Sequence, residues 1–143
     1  QPENMKTILV FFCALLATGI AFGLPPAPFV HIQKIEGTVV ELPKGDGILY
    51  AFVKMTVSAT SSPEDTKNLY STIRRKTRYP IQDQKRPGKD QVILVVSPKD
   101  LPKGTKVGDK LRVVGYGLRG SEESSSHYST YPYVEKIELN PKG

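Results

Sequence analysis

Residues Lys110 to Leu118 read KLRVVGYGL, and this stretch does most to decide the fold. Apolar and polar side chains alternate along it, which is the pattern of a β-strand with one face toward a core. Gly115 and Gly117 interrupt the alternation, and glycine inside a strand is typical of curvature, a bulge or close packing. The stretch therefore predicts a strongly curved strand.

Four further segments predict strands. His31–Leu42 mixes β-branched and polar residues around a glycine, and Ile48–Val57 alternates strictly, so that the two predict a long hairpin. Gln91–Val96 is a continuous apolar run, typical of a buried strand, and Tyr133–Leu139 is the last candidate. In the alternating segment, one face carries Leu49, Ala51, Val53, Met55 and Val57.

One helix is predicted between the second and third strands. Ser62 is a candidate N-cap, and Pro63 suits the first helical position. Leu69 and Ile73 are spaced i, i+4 and can dock on a core. Pro80 discourages continuation of the helix, so a Pro- and Lys-rich loop is expected to follow.

The pattern resembles that of OB-fold barrels. VGDKLRVVGYG is similar to their fourth strand, where a Gly-Asp-Lys turn leads into a curved strand, and IEGTVVEL is similar to their first strand. The resemblance implies a mainly β fold, a five-stranded OB-like barrel, here with one helix inserted between strands 2 and 3 rather than in the usual place between strands 3 and 4. Another small β-barrel or an open β-roll with the helix on one side is the alternative.

The N-terminus resembles a signal peptide, which implies a secreted or periplasmic protein. Met5-Lys6 is followed by the apolar run Thr7–Ala21 and by small residues at a candidate cleavage site ending at Gly23. An uncleaved membrane anchor is the alternative, and it would be the chain's only contact with a membrane. The predicted organisation begins with a signal peptide at 1–23, which includes an upstream remnant at 1–4, and a Pro-rich lead-in at 24–30. One domain at 31–139, which includes the helix and basic loop at 62–90, and a tail at 140–143 follow.

The cysteine content and the distribution of charge give further information on the class of protein. The only cysteine, Cys13, would leave with the signal, so that no disulfide is expected in the mature protein. Seven cations and two carboxylates between Tyr70 and Asp90 account for five of the six net positive charges. Positive charge confined to one segment favours a polyanionic partner.

We predict that this segment forms the ligand site. Cations bind phosphate, sulfate or carboxylate, and tyrosines can stack on bases. The expected anion contacts are Arg74, Arg75, Lys76, Arg78, Lys85, Arg86 and Lys89. The candidate stacking residues are Tyr50, Tyr70, Tyr79 and Tyr116. The alternative is a solvated helix end and loop, since cations in a last helical turn also complement the helix dipole.

No catalytic motif is recognised. His31 and His127 lie in no metal-ligand spacing, and the adjacent carboxylates Glu122 and Glu123 in a polar loop are typical of solvated residues. We therefore expect no cofactor, no metal and no enzyme activity. The predicted function is a non-catalytic binding module for a polyanion, either nucleic acid or acidic polysaccharide. The alternatives are a protein–protein adaptor that uses a strand edge, the tyrosine region 128–133 or an acidic protein partner, and an enzyme without a sequence signature.

Overall fold

One antiparallel sheet and one α-helix form the framework of the computed structural model, which describes residues 28–43, 49–120 and 130–142. The mainly β prediction is confirmed. The helix α1 spans Pro63–Lys76 and lies between the second and third strands, as predicted. The strands are β1 Pro28–Glu41, β2 Ala51–Thr60, β3 Gln91–Val96, β4 Lys110–Arg119, β5 Tyr131–Tyr133 and β6 Lys136–Leu139.

The prediction of a closed five-stranded barrel is wrong. The strands lie in the order β3-β2-β1-β4-β5, with β6 also paired to β4, so the sheet does not close on itself among the described residues. A side chain of β4, rather than a neighbouring strand, binds the outer edge of β3. The Tyr116 hydroxyl accepts a hydrogen bond from the Val95 N–H and donates one to the Val95 carbonyl, each at 3.0 Å.

A kink at Gly115 explains why there are six strands rather than five. Gly115 has a φ of +67°, which L side chains rarely adopt. Opposite it, Val134 and Glu135 drop out of the pairing, while the same register with β4 continues on both sides as β5 and β6. The predicted last strand, Tyr133–Leu139, is therefore divided in two.

The hairpin of β1 and β2 is confirmed, and a bulge interrupts its register between Glu36 and Gly37. A Cβ on Gly37 would lie 2.5 Å from the Thr56 carbonyl oxygen, so only glycine lets the two backbones approach this closely. The buried face of β2 includes Ala51, Val53 and Met55, as expected. The prediction that Leu49 lies on this face is wrong, because Leu49 precedes the strand and is 88% exposed.

Helix α1 packs on the core through the residues that its sequence indicated. Leu69 and Ile73 are fully buried, and they share the core with the apolar strand β3. Ser62 does not act as a side-chain cap, because its hydroxyl donates instead to the Asp65 carboxylate at 2.9 Å. The helix nevertheless begins at Pro63, where the missing N–H needs no partner.

The predicted signal peptide, its upstream remnant and residues 24–27 of the lead-in lie outside the described residues. Within the described ranges, no helix is long and apolar enough to cross a membrane.

Candidate functional site

A groove of about 690 Å³ runs between the end of β2, one side of α1 and the loop that leads into β3. Residues 57–60 of β2 line it, together with charged side chains from α1 and from the loop. We call it the basic groove and define it by Lys67, Tyr70, Arg86, Lys89 and Asp90. It contains two of the predicted anion contacts, Arg86 and Lys89, and one predicted stacking residue, Tyr70.

Arg86 lies over the ring of Tyr70. The guanidinium carbon is 4.9 Å from the ring centroid, within the range of a cation–π contact. The ring is only 7% exposed, and its hydroxyl donates to the Gln84 carbonyl oxygen at 3.4 Å. Tyr70 therefore holds an arginine and has no open face for a base, so its prediction as a stacking residue is wrong.

The loop carrying Arg86 is held at both ends. A 3-10 turn at Ile81–Asp83 inserts the fully buried Ile81 into the core. At the other end, the Gly88 N–H donates to the Gln91 side-chain oxygen at 3.0 Å. The carbonyl of Asp90, a residue with a φ of 62°, accepts a 2.7 Å hydrogen bond from the Val57 N–H. The loop is thus built against β2.

Helix geometry separates the cations that the sequence grouped together. With 3.6 residues per turn, Lys67 and Arg74 share the groove side of α1 with Tyr70. Arg75 points away from the core, and the Lys76 ammonium lies 5.8 Å from the ring centroid of Phe29, on the opposite side. The helix cations therefore do not form one surface.

Two more predicted contacts lie on the loop outside the groove lining. Lys85 is exposed beside Arg86. Arg78, also exposed, already takes part in an intramolecular interaction.

Ion pairs in the described residues lie on the sheet and in one turn. Arg112 donates to Glu36 at 2.9 Å and to Glu138 at 3.0 Å, and its hydrogen bond holds the pKa of Glu36 below the usual range. Lys106 and Asp109 pair at 3.3 Å. By contrast, no described carboxylate forms an ion pair with the following cations: Lys67, Arg74, Arg75, Lys76, Lys85, Arg86 and Lys89.

The remaining candidate stacking residues lie elsewhere. Tyr116 is fully buried, which raises its pKa, so its prediction as a stacking residue is wrong. Tyr50 and Tyr79 meet edge to face with centroids 4.7 Å apart. They line a separate depression of about 430 Å³ with the exposed Leu49 and Tyr131, and burial raises the pKa of Tyr79 to about 12.

His31 lies apart from the groove. The His31 Nδ1 is 2.9 Å from the Tyr133 hydroxyl, and the Arg119 guanidinium lies 4.6 Å from the centroid of the Tyr133 ring. His127 and the carboxylates Glu122 and Glu123 lie outside the described residues, as do 128–129 of the tyrosine region. The described part of the chain holds no group of three or more His, Cys, Asp or Glu residues suited to a metal ion.

Lys67 is the groove residue that sequence reasoning missed. It lies outside the segment from Tyr70 to Asp90 on which the charge prediction rests. The available signal was its spacing, because Lys67 precedes Tyr70 by three positions and Arg74 by seven, which places all three on one side of a helix.

Comparison with protein-family models found no matching family, and comparison with curated proteins and with solved structures found no significant match. The geometry of the groove is therefore the basis for the functional proposal.

Proposed function

We propose that this protein is a non-catalytic binding module that holds a polyanion in the basic groove. The observation that carries the proposal is the state of its cations. Lys67, Arg86 and Lys89 line a preformed groove, and no carboxylate of the described residues pairs with them. An external anion can bind them without first displacing an internal ion pair.

Arg86 is the anchor of the proposed site. A guanidinium presents a rigid fork of N–H donors that matches phosphate, sulfate and carboxylate in bidentate fashion. The Tyr70 ring supports one face of this guanidinium, and less side-chain entropy is then lost when an anion binds its edge. Lys67 and Lys89 add charge on either side.

An OB-like classification is a further proposal. The strand order β3-β2-β1-β4, continued by β5, supports it, as does the marked bending at Gly37 and Gly115. OB-folds are partly open Greek-key barrels, so an unclosed seam is compatible with the class.

Charge reversal in the groove tests the function. In the variant Lys67→Glu, Arg86→Glu and Lys89→Glu, we expect binding of heparin and of single-stranded DNA at low salt to be abolished. Wild-type affinity should fall steeply as salt rises, by a slope of about one power of salt for each cation engaged. Fluorescence anisotropy across a salt series measures both quantities.

The matched control reverses three exposed cations outside the groove. Lys99→Glu, Lys103→Glu and Lys142→Glu change the net charge by the same amount, and none of these lysines forms an ion pair with a described residue. We expect this control to retain most of the wild-type affinity. Equal losses in the two variants, or no binding by wild type at low salt, would sink the proposal.

A protein–protein adaptor is the second candidate, favoured by the aromatic depression. Leu49 is 88% exposed and Tyr131 is 49% exposed beside the Tyr50–Tyr79 pair, and exposed apolar groups of this kind mark interaction surfaces when they cluster. Leu49→Ser with Tyr131→Ser should then abolish partner binding, while the groove variant should leave it intact.

A further inference from the structure

We infer that the ligand of the basic groove is an acidic polysaccharide, a sugar chain that carries sulfate or carboxylate groups together with free hydroxyls. This inference rests on the proposed function, since it assumes that the groove binds a polyanion. It goes further because it chooses between nucleic acid and acidic polysaccharide, two classes of polyanion that the cations alone do not distinguish.

The groove offers no aromatic face to a base. Proteins that bind single-stranded nucleic acid combine positive charge with exposed rings on which bases stack. Here the ring nearest to the cations, Tyr70, is 7% exposed and covered by Arg86. Tyr50 and Tyr79 pack against each other and are not among the lining residues. A nucleic acid would find no exposed ring in the groove on which its bases could stack.

One hydrogen-bond acceptor, the carboxylate of Asp90, lies among the cations of the groove. The exposed Asp90 lines the groove beside Lys89, and its carboxylate has no ion-pair or hydrogen-bond partner among the described residues. A carboxylate accepts hydrogen bonds from sugar hydroxyls and repels phosphates. A DNA strand carries a phosphate on every nucleotide and no hydroxyl along its length, whereas an acidic sugar chain presents both kinds of group. The mixed lining of the groove therefore favours the sugar over DNA, and the missing aromatic face favours it over single-stranded nucleic acid of either kind.

The Tyr70–Arg86 contact determines how the groove recognises the anionic group of the ligand. The ring covers one face of the guanidinium, which leaves its N–H edges for a sulfate or carboxylate. Tyr70 acts through Arg86 and is a positioning residue. Lysine at position 86 would keep the charge and lose the fork, so geometry and charge can be tested separately.

The experiment compares two probes of equal charge number, a heparin-derived octasaccharide and an oligothymidylate, by fluorescence anisotropy at one low salt concentration. We expect wild type to bind the octasaccharide at least about fivefold more tightly. Arg86→Lys should weaken octasaccharide binding about tenfold, the loss expected for one charge-assisted hydrogen bond. Arg75→Lys, the matched control on the outer side of α1, should change it by less than about twofold.

A second variant tests the acceptor. Asp90→Asn removes the charge and is compatible with the positive φ of this position, which asparagine tolerates. We expect it to strengthen oligothymidylate binding and not octasaccharide binding. The preference of the protein for the octasaccharide should therefore decrease. Equal binding of the two probes by wild type, or equal effects of Arg86→Lys and Arg75→Lys, would overturn this inference and leave polyanion binding standing. Failure of wild type to bind either probe would instead overturn the proposed function.

Discussion

Tyr116 satisfies two backbone groups of β3 with one hydroxyl. The Val95 N–H and carbonyl both point at this buried oxygen, and without it they would face an apolar core. We expect Tyr116→Phe to lower the free energy of unfolding by about 1–3 kcal/mol, the cost of leaving buried polar groups unpaired. Urea denaturation followed by far-UV circular dichroism measures this loss.

The control is another tyrosine. Tyr131 is 49% exposed, so Tyr131→Phe removes a hydroxyl at a site open to water and should leave the unfolding free energy within about 0.5 kcal/mol of wild type. If Tyr116→Phe proved as stable as Tyr131→Phe, the bridging hydroxyl would contribute nothing to the fold.

Alternation along β4 could not reveal that Tyr116 is buried. Counting by two from Leu111 and Val113, which are buried, places residue 116 on the outer face. The positive φ at Gly115 moves Tyr116 and Leu118 onto the buried side. The two glycines of the stretch did indicate a bend, but no sequence rule gives the direction in which the next side chain turns.

At the scale of elements, the close contact of β1 with β2 depends on Gly37. A Cβ at this position would meet the backbone carbonyl of Thr56, which cannot rotate away. We expect Gly37→Ala to destabilise the protein by about 1–3 kcal/mol, as overpacking usually does. Thermal and urea unfolding measure the change.

Gly88→Ala is the matched substitution. Its Cβ would lie 3.3 Å from the side-chain oxygen of Gln91, which can move aside, so the cost should be small. A Gly37→Ala protein as stable as Gly88→Ala would mean that the bulge accommodates a side chain.

The helix shows what local sequence predicts well and what it does not. Its start at Pro63 and the buried pair Leu69 and Ile73 follow from a proline preference and an i, i+4 spacing. Which cations face a groove depends on where the following loop is anchored, and that is decided by Ile81 and by the Val57–Asp90 hydrogen bond. These contacts join residues distant in sequence, so Arg86 and Lys67 could not be grouped before the fold was known.

For the whole molecule, position in the sheet sets the order of local stability. β1 pairs with β2 and with β4, whereas the short β5 pairs only with β4. We expect the amides of the doubly paired part of β1, from Ile35 to Thr38, to exchange most slowly and those of Tyr131 and Tyr133 to exchange far faster. Native-state hydrogen exchange followed by NMR or mass spectrometry measures this order, and slower exchange in β5 than in β1 would contradict it.

The mainly β class of the fold could be predicted from the sequence, but whether the sheet closes into a barrel could not. Alternating and apolar runs identified a mainly β chain with an inserted helix, because those patterns depend on the residues of one element. Closure depends on whether the first and last parts of the sheet reach each other. In this sheet the last strand is divided opposite Gly115, and the Tyr116 hydroxyl, not a neighbouring strand, binds the Val95 backbone at the outer edge of β3.

The buried phenol of Tyr116 makes the fold sensitive to alkali. Burial raises the pKa of Tyr116 above its value of about 10 in an unfolded chain, although the hydrogen bond with Val95 opposes this in part. The contribution of the neutral phenol is fully present below pH 10 and is lost as pH rises toward the folded-state pKa. Over that interval each pH unit removes about 1.4 kcal/mol of folding free energy through this single group. Strong base therefore weakens the contact between β4 and the edge of β3.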